Sequence, residues 1–93
     1  MNSCISQAME NIDKLSRTIT AYGEYINDEV AVVLSFAQYH REGVNPACIY
    51  SSNLIPEIDK ATASIIMIKT FAVKINACLD LMEVEYGNAK NTL

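Results

Sequence analysis

The sequence predicts an all-α protein: a small helical bundle, or a helical hairpin of two long heptad-patterned helices with a shorter helix between them. Three observations lead there. Apolar residues recur at alternating steps of three and four near both ends of the chain. That spacing keeps them on one face of a helix. The composition is also 51% hydrophobic with only 3 Gly and 2 Pro in 93 residues, too apolar for disorder and too poor in turn residues for a many-stranded sheet.

The first helix is expected at about residues 3–26. Ile5, Ala8, Ile12, Leu15, Ile19, Tyr22 and Ile26 follow the three-four alternation without a miss, and Met9 widens the stripe. Gln7, Glu10, Asn11, Asp13, Lys14, Arg17 and Thr18 fill the rest, which makes a narrow seam of the kind that packs through knobs and holes. Gly23 fits either a break in this helix or a place within a bent one.

A shorter helix is expected at about 28–42. Asn27-Asp28-Glu29 has the composition of a helix start, Val30, Val33, Leu34 and Ala37 have helical spacing, and Gly43 suits a cap. The β-branched run Val30-Ala31-Val32-Val33-Leu34 also fits a short strand, although the spacing favours the helix. Residues 43–55, with Gly43, Asn45, Pro46, Ser51, Ser52 and Asn53, read as a loop.

The last helix is expected at about 56–86. Pro56 suits its first residue and Glu57 and Asp59 its first turn, where the dipole favours negative charge. Ile58, Ala61, Ile65, Ile68, Ala72, Ile75, Leu79, Met82 and Tyr86 make its stripe, Ile66 and Val73, with Phe71 beside them, add a second apolar line, and Gly87-Asn88 offers a left-handed cap. A helix this broadly apolar is expected to meet more than one neighbour. The whole chain, 1–93, reads as one helical domain.

Charge and cysteine content narrow the function classes. The net charge is −4 and 7 Lys and Arg are spread along the chain, so nucleic acid is not an expected partner. Lys69, Lys74 and Asp80 interrupt the apolar stretch 61–82, so no membrane span is expected. Cys4, Cys48 and Cys78 lie far apart without a CxxC pair and read as buried thiols of a reducing compartment. No basic-then-apolar leader is visible at the start, so the expected location is cytoplasmic, or exported without a cleaved signal peptide.

No catalytic constellation is expected. His40 is the one histidine, with no nucleophile and orienting acid at a recognisable spacing, and it reads as a solvated or capping residue. One histidine and scattered thiols do not make a zinc site. Asp80, Glu83 and Glu85 read as a solvated face, no glycine-rich loop is present to hold phosphate, and Met9, Met67 and Met82 read as core, so no cofactor is expected.

Ser3-Cys4-Ile5-Ser6 and Lys14-Leu15, together with Ser52-Asn53, Glu57, Phe71 and Asn76, resemble the terminal helices of bacterial flagellar rod and hook proteins. The Asn-Asn-Ile-Ala-Asn run of that family is replaced here by Arg17-Thr18-Ile19-Thr20-Ala21. The resemblance implies a structural role in a flagellar or secretion-type assembly, with no active site.

The function expected from these readings is a non-enzymatic helical interaction protein acting as structural subunit, adaptor or assembly chaperone. Its partner is another protein or further copies of the chain, held by Ile5, Ile12, Leu15, Ile19, Ile65, Ile68, Ile75 and Leu79. The rival reading is a small acidic regulatory or immunity-type module that neutralises a dedicated partner protein. Charge-driven binding weakens with salt and seam packing does not, which separates the two.

Overall fold

The computed structural model describes residues 3–41 and 54–93, and the side chains of 4–38 and 55–93. Two helices account for it: α1, Ser3–Arg41, and α2, Leu54–Thr92. They pack along their lengths as an antiparallel hairpin measuring 69 × 17 × 13 Å. No strand occurs among the described residues.

The expected helices at 3–26 and 28–42 are one element as far as Arg41, so the separate middle helix is not found. The heptad spacing explains this. Ile5, Ala8, Ile12, Leu15, Ile19, Tyr22, Ile26, Glu29, Val33 and Phe36 are all buried or half-buried, and the stripe runs through Gly23 and Asn27 without a change of phase. Val30–Leu34 is helical, against the strand alternative. Tertiary packing on Val33 and Phe36 outweighs the weak helix preference of the β-branched residues.

α2 also outruns its expected bounds. It starts at Leu54, so Pro56 stands within the first turn rather than at its head, still where a missing N–H costs no helical hydrogen bond. It runs through Gly87-Asn88 to Thr92, closing with a bond from the Leu93 N–H to the Lys90 carbonyl at 3.2 Å. Ala89 is buried, so packing carries the helix past the glycine. Glu57 in the first turn and Lys90 in the last both complement the helix dipole. Of the expected loop 43–55, Leu54 and Ile55 belong to α2, and the rest lies outside the described residues.

The side of α2 that meets α1 differs from the expected stripe. Ala61, Ser64, Ile68, Phe71, Ile75, Cys78, Met82, Glu85 and Ala89 are buried or half-buried, at the same three-four alternation. The expected and observed stripes share the column Ala61, Ile68, Ile75 and Met82. Their second columns lie on opposite flanks of it. Ile58, Ile65, Ala72, Leu79 and Tyr86 all stay exposed, and the Ser64, Phe71, Cys78, Glu85 column turns inward.

An aromatic cluster fixes that rotation. Phe71 lies 5.8 Å from Tyr22 and 5.4 Å from Tyr25, ring centre to ring centre, and the Lys74 ammonium stands 5.7 Å over the Tyr22 ring. Tilted ring pairs contribute about 0.5–1.5 kcal/mol beyond their buried area. Elsewhere the buried positions, Ile12 apart, hold small residues, with Ala8 2% exposed and Ser64 5%. No described large side chain is fully buried.

The core is therefore one seam, and the surface is correspondingly large. The accessible area is 6850 Å², against about 5,400 Å² for a compact chain of this mass. The radius of gyration is 20.6 Å, against about 12 Å for a globular domain of this length.

Ile12 is the best-buried large aliphatic residue described, at 8% exposed. Ile12→Ala is expected to lower the free energy of unfolding by roughly 2–4 kcal/mol. Val73→Ala, at a site 70% exposed, should stay within about 0.5 kcal/mol of the parent. Urea titration followed by circular dichroism reads both, and equal costs would show that the seam is wrongly assigned.

A candidate docking face along the hairpin

In an antiparallel pair, the columns flanking the seam meet on two sides. The Tyr22–Tyr25–Phe71–Lys74 contacts mark one of them, where Tyr25 of α1 and Lys74 of α2 lie beside the seam. The opposite side is formed by Met9, Ser16, Gly23, Val30 and Ala37 from α1 and by Ile58, Ile65, Ala72, Leu79 and Tyr86 from α2. None of these ten positions carries a charge.

The face is open to solvent. Met9, Val30, Ile58, Ile65, Leu79 and Tyr86 are all exposed large hydrophobic residues, and Ile65 and Leu79 keep 42% and 46% of their surface. Six such side chains expose on the order of 600 Å² of apolar area, at the upper end of the largest patch on an ordinary monomer. Ser16 and Tyr86 carry the two hydroxyls of these columns, and Ser16 donates to the Ile12 carbonyl at 2.8 Å. The Ser16 proton is thus engaged within its own helix.

The middle of the face is its narrowest part. The Tyr22–Phe71 and Tyr25–Phe71 contacts together set Gly23 level with residues 70–73 of the antiparallel α2, and of these Ala72 lies on the face, with larger residues above and below it. A Cβ built on Gly23 would meet nothing within 4 Å, so the packing of this chain does not require glycine there. Glycine inside a helix costs about 1 kcal/mol relative to alanine.

The other surfaces differ in character. α1 turns Glu10, Lys14, Arg17 and Glu24 outward, with ion pairs Glu10–Lys14 at 3.4 Å and Asp13–Arg17 at 3.2 Å. Both pairs are well exposed and contribute little to stability. The far side of α2 shows Ile66 and Val73 of the second apolar line expected from the sequence, which ends at Asp80, whereas Phe71 lies in the seam against α1. Thr18, Thr20 and Thr70 donate their hydroxyls to carbonyls four residues back.

The eight expected docking residues divide unequally. Ile5, Ile12, Leu15, Ile19, Ile68 and Ile75 lie in the seam between the two helices, and Ile65 and Leu79 are on the open face. Sequence reasoning missed the contribution of α1, because Met9, Gly23 and Val30 gain meaning only once the helices are paired. Their common seven-residue phase was the available signal.

Cys78 is buried in the seam, Cys4 is exposed against expectation, and Cys48 lies outside the described residues. Cys4 stands in the first turn of α1, one position before Ile5 and off the two seam columns. Asp80 and Glu83 are exposed as expected, whereas Glu85 is half-buried because its column faces α1. The His40 side chain lies outside those described. Among the described residues no three or more His, Cys, Asp or Glu side chains gather as a metal site, and no helix is long and apolar enough to cross a membrane.

Phe71 and Ile65 stand on opposite flanks of α2 and separate the closed side from the open one. Phe71→Ala is expected to cost roughly 2–4 kcal/mol of stability and Ile65→Ala less than about 1.5 kcal/mol. Thermal melts at low protein concentration test this, and a reversed order would mean that α2 is rotated the other way.

No protein-family model matches the chain, and no match was found among curated proteins or among solved structures.

Proposed function

We propose that this chain is a non-enzymatic helical interaction protein, a structural subunit, adaptor or assembly chaperone, whose partner docks on the uncharged face of the hairpin. One observation carries the reading: ten positions on two helices share one side of the molecule, none is charged, and six present large apolar side chains to solvent. Covering that area favours association by about 25 cal/mol per Å² before the costs of binding.

The charged side of α1 supports the assignment, because ion-paired, hydrated side chains resist burial. The likeness to flagellar rod and hook helices makes a flagellar or secretion-type assembly the first setting to examine.

Photo-crosslinking in the cells of origin tests the reading. A photoreactive residue at Leu79 is expected to give a protein-sized adduct, and the same residue at Arg17 none. Adducts from Arg17 alone, or from neither site, would refute the proposed face.

A further inference from the structure

We propose that the occupant of the uncharged face is a second copy of this chain, related by a twofold axis through the Gly23–Ala72 waist, so that two hairpins close into an antiparallel four-helix bundle. This rests on the functional reading above and names its partner.

The face fits itself. Twofold pairing needs a patch whose two halves complement each other about one point. On α2 that point is Ala72, with Ile65 and Leu79 each seven residues away and Ile58 and Tyr86 each fourteen away. Turning a copy about Ala72 sets Ile65 against the partner's Leu79 and Ile58 against the partner's Tyr86. On α1 the point is Gly23, and the same turn sets Met9 against the partner's Ala37 and Val30 against the partner's Ser16. Each large α1 side chain then meets a small one, which is how facing layers interdigitate.

The waist explains the glycine. Gly23 has open space where its Cβ would be, and the neighbouring small residue on this face is Ala72. Two hairpins crossing there approach backbone to backbone, which a larger side chain would prevent. The flanking column of α2 raises no electrostatic objection. It brings Lys69 opposite the partner's Asn76 and Thr62 opposite the partner's Glu83, so no like charges face each other.

Area and continuity agree with a dimer. The exposed apolar surface, on the order of 600 Å², is close to the roughly 800 Å² per partner of a standard interface. The α2 column on the face adjoins the column Ala61, Ile68, Ile75, Met82 already packed on α1. Covering it would extend an existing seam into a bundle core, where helices use three apolar columns of seven.

The test uses the full chain, its mass followed by light scattering over a hundredfold dilution. The parent should reach twice the 10.3 kDa chain mass at high concentration. Gly23→Leu should keep its helix content but weaken pairing at least tenfold, and Gly87→Leu, whose Cβ also meets open space but lies off the face, should pair like the parent. Ala72→Cys should oxidise to a covalent dimer well above the parent, and Val73→Cys, on the far side, should not. This last pair decides the matter if Gly23→Leu fails to fold. A parent that stays monomeric throughout overturns self-pairing alone, since the crosslinking at Leu79 still decides whether another protein occupies the face. A dimer that tolerates Gly23→Leu and gives no Ala72→Cys crosslink has its interface elsewhere, and overturns both readings.

Discussion

One constraint governs this molecule: a single neighbouring helix can cover two heptad columns of α2, and α2 carries three adjacent columns of mainly apolar character. Ser64, Phe71 and Cys78 stand on one flank of the shared Ala61–Ile68–Ile75–Met82 column, with Ile65, Ala72 and Leu79 on the other. α1 takes the first flank, where Phe71 meets Tyr22 and Tyr25. The second is left in water. The length of the rod, its excess surface and its uncharged side follow from that geometry.

The choice of flank is a matter of shape as much as hydrophobicity. By side-chain size alone the Ile65–Leu79 flank is the better core, since the opposite column includes Ser64 and Glu85. Yet Phe71 is the ring at mid-helix and α1 supplies two tyrosines at its level, whereas Tyr86 of the other flank stands near the end of α2 and stays exposed. At the ends of the seam the small residues Ala8, Ala61 and Ala89 allow close helix approach. Ile58, Ile65 and Leu79 of α2 remain available for another contact.

The same competition explains how much the sequence alone could reveal. The helical class and both long helices are legible because the three-four spacing persists over many turns, a signal that grows with length. The boundaries are not, because Gly23, Asn27 and Gly87 carry local stop signals that continuous packing overrides. The rotation of α2 is invisible in principle, since both candidate stripes have identical periodicity and differ only through their fit to α1. Six expected docking residues therefore lie in the internal seam, and the open face exists only as columns brought together by pairing of the two helices. Ile65 and Leu79 are where the two readings coincide.

Thin cores and open faces have a thermodynamic connection. With no described large side chain fully buried, the hairpin gains less from folding than a compact domain of equal length, while the backbone entropy lost per residue is the same. A partner that binds only the folded hairpin adds to its stability by mass action. Occupying the uncharged face would bury Ile65, Leu79, Met9 and Val30 together and turn a two-column seam into a fuller core. Folding and association are then coupled through one surface, and a substitution on that face acts on both whenever the face is occupied. Gly23 shows the direction of the compromise: it weakens α1 as an isolated helix, for no gain visible within the chain, at the one level where Ala72 leaves room for another backbone.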